Sequence, residues 1–213
     1  MIFSDVMISE LESKVKKKIS RHRYVHTIGV KNAAVKIAEH CYSGDISEII
    51  VAALLHDISK EYSVAEQLDM IRTSKFNISD TDLMSEVVFH AFTAPVVIER
   101  EFNNFATKSV LSAVFNHTTG SPDMSLFDEI IFVADYVEDG RSYSSCVNVR
   151  NDLYAAFSEA RDKEECIMHL HNATIAALEH TILQIVKNKQ VLNERTVATR
   201  NAFLARVPAP LAN

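Results

Sequence analysis

The sequence predicts an all-α protein of about ten helices joined by short polar segments. Only 4 Gly and 4 Pro occur in 213 residues, too few breakers for the many tight turns of a sandwich or barrel. Apolar residues make up 47% of the chain, ample for a core, and no alternating strand pattern persists anywhere.

A first helix is expected from Ser9-Glu10 to Ser20, with the basic stretch Lys14 to Lys18 on a solvated face. Val25 to Cys41 repeats Ile28, Val30, Ala33, Ala34, Ile37 and Ala38 at helical spacing. Gly44-Asp45 reads as a turn with a capping acid. The next helix, Ile46 to Ile58, carries IIVAALL and must be buried on most sides. Ser63 opens a helix through Arg72, and Ser79 to Phe92 reads as helical but mixed. Thr93-Ala94-Pro95 reads as a fresh helix start with proline in the first turn. Lys108 to His117 is a short apolar helix ended by Thr118-Thr119-Gly120-Ser121-Pro122. Ser125 to Glu138 is a second strongly apolar helix. Long amphipathic helices fill Val147 to Ala205, before an Ala/Pro-rich tail expected to fray. In IIVAALL and EIIFVA a strand is the competing reading, because short apolar runs do not separate the two.

The formal net charge of −6 argues against a nucleic-acid backbone as the main partner, since that requires a basic face. It leaves room for a small anionic substrate, because bound metal supplies local positive charge. Cys41, Cys146 and Cys166 are odd in number and widely spaced, the pattern of reduced thiols in a cytoplasmic protein. The N-terminus has early acids and no apolar signal-peptide core, and no apolar run approaches membrane-spanning length. The oligomeric state stays open, with a homodimer among the options.

Ionisable side chains inside apolar runs need partners, because burying an unpaired charge is costly. His56 and Asp57 end IIVAALL, His90 lies in VVFHAF, and His117 closes SVLSAVFNH. Asp135 interrupts EIIFVADYV, and His26 opens an apolar face in RYVHTIGV. Each alone reads as a hydrogen-bonded core residue, and Asp135 as an ion-pair partner of Arg141. Together, six such residues on five segments form a ligand set for iron, manganese or zinc. His22, His40 and His180 look ordinary. His169 and His171 would point to nearly opposite sides of a helix. No GxSxG elbow, GxxxxGK[ST] loop or GxGxxG occurs.

The order His26, His56-Asp57, His90, His117, Asp135 resembles the HD-domain metallohydrolase superfamily. RYVHTIGV, LLHDISKE, FNHTTGSPDMSLFDEIIFVADYVEDGR and ERTVATRNAFL are similar to the YqeK family of bacterial HD proteins, over about residues 8 to 205. The resemblance implies a single HD domain, with a helical core at about 20–140 and a C-terminal helical extension at about 147–205. It implies symmetrical hydrolysis of diadenosine tetraphosphate to two ADP. Iron is the implied cofactor, as one or two ions, with manganese or another divalent transition metal as the substitute. His26, His56, Asp57 and Asp135 match the metal set; His90 and His117 match two further histidines that hold a second metal or face the phosphates. Arg23 matches a phosphate-contacting arginine, Lys60 the lysine of HDxxK and Arg141 the arginine after ADYxE; all three are expected to bind substrate and offset phosphate charge, and Thr118 offers a hydroxyl beside His117. Asp57 and Lys60 are the expected catalytic pair, with Asp57 bridging the ions if two are bound. The chain departs from the family at His90-Ala91-Phe92, where a His-Gly-Pro-like turn is usual, and at Asp139-Gly140, where Pro-Asn is common. Competing readings are a different small nucleotide as substrate, or a sensor that binds nucleotide without turnover.

Overall fold

A computed structural model describes residues 2–206, and the expected fraying tail lies outside them. Among the described residues there are ten α-helices, three short 3-10 turns and no strand, so IIVAALL and EIIFVA are both helical. The helices are α1 (Asp5–Lys18), α2 (Arg21–Cys41), α3 (Ser47–Leu55), α4 (Val64–Thr73) and α5 (Phe89–Glu101). They continue as α6 (Lys108–Asn116), α7 (Leu126–Val137), α8 (Ser144–Glu159), α9 (Lys163–Lys187) and α10 (Glu194–Arg206).

Side-chain caps set most helix starts. Ser4, Ser20 and Thr107 each accept from a backbone N–H three residues on, and Ser63 and Ser125 form full capping boxes with Glu66 and Asp128. The Ser4 cap is why α1 begins before the expected Ser9. Phe3 anchors it, buried with its N–H bonded to Ser47 Oγ at 2.9 Å. Of the basic stretch, Lys14, Lys16 and Lys17 are exposed as expected, whereas Lys18 pairs with Glu101 at 2.7 Å.

Helices α2, α3 and α7 pack on one another at the centre, with α6 against α3 and α7, and α9 against α7. Leu54, Leu55, Ile130, Ile131 and Ile37 are among the fully buried side chains there. Full burial of each such side chain is worth about 1.5–3 kcal/mol, so the residues at the ends of these helices are held on a rigid frame. Helix α10 packs on α9 and reaches back to the loop after α6. No helix among the described residues is long and apolar enough to cross a membrane.

Three boundaries correct the sequence reading. The region Ser79 to Phe92 is mostly not α-helical: it contains 3-10 turns at Asp82–Met84 and Glu86–Val88, and α5 starts only at Phe89. Asp82 explains the local turns, because its carboxylate is held by Ser79 N, Asn193 and Arg195. Pro95 sits inside α5 and not in the first turn of a new helix. It cannot donate a backbone bond; the hydroxyls of Ser59 and Thr93 bond the neighbouring carbonyls of His90 and Phe89. Third, α3 ends at Leu55, so His56-Asp57 stand at its C-cap and in the tight turn that follows. Helix α8 also begins three residues before the expected Val147.

Candidate metal centre

The six polar residues singled out in the sequence converge on one place. His26 comes from α2, His56 and Asp57 from the end of α3, His90 from the first turn of α5, His117 from the C-cap of α6, and Asp135 from α7. All but His26 stand at or within a turn of a helix end, where packed backbones hold them. Gly120 fixes one of them. Its φ of 69° is open to glycine, and its N–H bonds Asn116 O at 2.8 Å, ending α6 just after His117. A Cβ there would also come within 2.6 Å of Thr199 on α10.

The distances suit a bound cation. His26 Nε2 lies 3.1 Å from Asp135 Oδ1, 3.3 Å from His56 Nε2 and 3.7 Å from Asp57 Oδ2. His56 Nε2 lies 3.7 Å from Asp57 Oδ2. An ion about 2.1 Å from each ligand atom needs those atoms roughly 3.0–3.5 Å apart. Two overlapping sets bring their ligand atoms within 4.8 Å of one another, a little wider than that: His26, His56 and Asp135; and His56, Asp57 and His117. The other carboxylate oxygen of Asp57 faces His90 Nε2 at 3.3 Å and His117 Nε2 at 3.8 Å.

Hydrogen-bond partners decide which ring nitrogen is free to ligate. A carbonyl only accepts, so His56 donates from Nδ1 to Ala53 O and His117 from Nδ1 to Val114 O. His26 Nδ1 donates to Glu138 Oε1 at 3.2 Å. In all three, the Nε2 lone pair is turned into the cluster, the arrangement that orients a metal-bound imidazole. His90 differs. The Lys60 ammonium lies 2.9 Å from its Nδ1 and 3.3 Å from its Nε2; donation to the nearer Nδ1 leaves the ring proton on Nε2, facing Asp57, His117 and Thr118 Oγ1.

Protonation fits a donor set. Burial pushes His56 down to about 4, against the pull of Asp57, so the ring is neutral. Burial likewise drives His90 well below the usual range, against the pull of Asp57 and with help from Lys60. Burial pushes both carboxyls up but is outweighed. The histidines around Asp57, and Arg141 and His26 beside Asp135, hold them well below the usual carboxylate range. His26 is the exception: burial pushes it down, but the hydrogen bond to Asp135, made through Nε2, and the charges of Asp135 and Asp57 raise it overall, so a cation bound at Nε2 would displace a proton. Ionised carboxylate and neutral imidazole are the forms that bind a divalent ion.

The three expected phosphate-binding cations each bond a cluster residue. Arg23 donates to Asp57 Oδ2 at 2.6 Å, Lys60 to His90, and Arg141 to Asp135 Oδ1 at 2.7 Å and to Asp135 O at 3.0 Å. Burial lowers the pKa of Lys60. The Asp135–Arg141 ion pair weighed from sequence is therefore present, and it sits within the cluster.

Two residues of this region were missed from sequence. Glu138 is buried, bonds His26 and accepts from Gly140 N at 2.6 Å. It fits only because position 29 is glycine: a Cβ there would lie 2.3 Å from Glu138 Oε2. Its signal was its place one helical turn after Asp135, on the same side. Arg150 of α8 donates to the carbonyls of Val137, Glu138 and Arg141, clamping that segment. Nothing in its local sequence marks it. The cysteines are free, as expected, and also buried, and none belongs to the cluster.

Residues 23–140 match the HD domain family. A Halalkalibacterium halodurans protein named bis(5'-nucleosyl)-tetraphosphatase, symmetrical, is 32% identical over 89% of this chain and 93% of its own. A Bacillus subtilis protein of the same name is 29% identical over 88% and 92%. In fold, a crystal structure of a Clostridium acetobutylicum HD superfamily hydrolase described as involved in NAD metabolism superposes with a TM-score of 0.80. That match covers 97% of this chain and 100% of the other at 24% identity. HD-domain hydrolases bind divalent metals, and the donor set here is suited to one. The family match spans more than half of the residues and the relatives align over nearly their full length, so the chain belongs to the HD domain family.

Proposed function

We propose that this chain hydrolyses a dinucleoside tetraphosphate, diadenosine tetraphosphate or a close relative, at its central phosphoanhydride to give two nucleoside diphosphates. The observation that carries the reading is the placement of Asp57. One of its oxygens faces His26 and His56, the other faces His90 and His117, and Arg23, Lys60 and Arg141 each bond a member of the cluster. The shared name of the full-length relatives supports the substrate.

In the reaction, water gives its oxygen to one central phosphorus. The P–O bond to the bridging oxygen breaks, and that oxygen leaves on the second nucleoside diphosphate. His26, His56, Asp57 and Asp135 would hold a divalent ion, with His117 as a further ligand. Such an ion supplies activated water at neutral pH and withdraws charge from phosphoryl oxygens. Asp57 orients the attacking water. Arg23, Lys60 and Arg141 offset the charge that grows on the oxygens not attacked. His90, through its Nε2–H, and Thr118, through its hydroxyl, donate to phosphate. Glu138 keeps the His26 lone pair pointed inward.

Iron is the metal we assign, with manganese as its substitute, because imidazole and carboxylate without thiolate suit both. We read the chain as one HD unit in which 147–205 extends the core. Its location is cytoplasmic, in keeping with three free thiols. The test is protein purified without oxygen, assayed for metal, and given diadenosine tetraphosphate. ADP as sole product supports the reading. AMP with ATP, or no product after loading with iron or manganese, overturns it.

A further inference from the structure

Two cavities of nearly equal size open beside the cluster, 690 Å³ and 650 Å³ in volume. The first reaches the centre through His117, Thr118 and Asp135 and runs out between α7, α8 and α9. The second reaches it through Arg23 and His26 and runs out along α2 and the segment 138–141. Arg141 lines both.

We infer that these grooves are two separate nucleoside subsites, one for each half of the dinucleotide, with Arg141 at the phosphates between them. This deepens the reaction proposed above and rests on it. Each groove falls in the size range of small-molecule pockets. A substrate cut at its middle needs two sites that meet at the cutting point, and these two grooves reach the cluster through different residues and share Arg141.

The grooves are chemically unlike. The first has an aromatic and aliphatic lip: Tyr143 is 73% exposed and Leu183 66% exposed, with Tyr136 behind and Gln184 and Thr181 for polar edges. Such a lip suits a stacked base whose edge finds hydrogen bonds. The second is shallower in apolar surface. Val25, 63% exposed, faces it beside His22 and Asn32, with Gly29 in its floor. Arg23 lines it, and the Nε of that guanidinium is buried without a partner among the described residues. The half in the first groove is therefore gripped by stacking on its base, and the half in the second by Val25 and Asn32 at its base and by Arg23 at its phosphates.

Titration of the metal-loaded protein with ADP tests the assignment. Two ADP per chain are expected in the wild type. Tyr143→Ala should remove or weaken one binding event, by about tenfold, the loss of one base–aromatic stack. Val25→Asp and Asn32→Trp should each remove the other. A second measurement compares diadenosine tetraphosphate with adenosine 5'-tetraphosphate, which has one base and fills the aromatic groove. The ratio of kcat/KM for the first over the second should fall about tenfold in Val25→Asp and Asn32→Trp, and stay level in Tyr143→Ala. One ADP per chain in a wild type that still forms two ADP would overturn the two grooves and leave the reaction standing. Two ADP bound with no cleavage would overturn the reaction and leave the grooves. Unchanged stoichiometry and ratio in both second-groove variants would also overturn the assignment.

Discussion

Helix α7 carries Glu129 and Asp135 six positions apart, and these two acids have opposite surroundings. Glu129 is fully buried and closed: both its oxygens face His171 Nδ1, at 2.8 and 2.9 Å, and Thr174 Oγ1 donates to it at 2.7 Å. Asp135 meets His26, His56 and Arg141 at the edge of a large cavity. Both networks pair histidine with carboxylate. The difference is where the imidazole lone pairs point. Around Asp135 several converge on one place; around Glu129 a single imidazole bonds the carboxylate directly. Buried polar residues thus mark a structural bond or a metal centre alike, and convergence tells the two apart.

Substitutions along these two networks should separate in order of effect. Asp57→Ala should be the most damaging, losing on the order of 10³ in turnover together with the bound metal, because it faces both halves of the cluster. Turnover with stoichiometric metal in that variant would break the comparison at its root. Lys60→Ala and Arg141→Ala should each cost about 10²-fold in kcat, about 3 kcal/mol, with metal content intact. Wild-type rates in both would remove them from the phosphates.

Glu138→Gln should weaken metal binding by about 10- to 100-fold, read as the chelator concentration that strips the ion. Equal chelator resistance in variant and wild type would make Glu138 a packing residue. His90→Gln and His117→Gln sharpen the contrast within the cluster. The first should lose about tenfold in rate, about 1.4 kcal/mol, with its metal retained; the second should lose metal as well. Identical metal content in the two would erase the distinction drawn from their hydrogen bonds. Smallest in rate is Glu129→Gln, which should keep turnover near wild type while losing about 1–3 kcal/mol of stability in denaturant unfolding. A large catalytic loss there would mean the closed network is part of the site.

The sequence by itself determined the helical class, most helix bodies and the six residues that meet at the centre. Helical periodicity is local, and a histidine or aspartate inside IIVAALL-HD or EIIFVAD declares its own burial problem. It misread the segment before α5 because Asp82 is held by Asn193 and Arg195, more than a hundred residues away. Only the tertiary structure decided which nitrogen each histidine presents. That choice rests on bonds such as His26 to Glu138, 112 positions apart, and Lys60 to His90, 30 apart. It also decided that Gly120 lies against Thr199 and that Arg141 stands between two grooves. Spacing along a chain fixes which face a side chain takes on its own helix. What it meets there depends on how the helices pack, and packing joins residues that no local pattern relates.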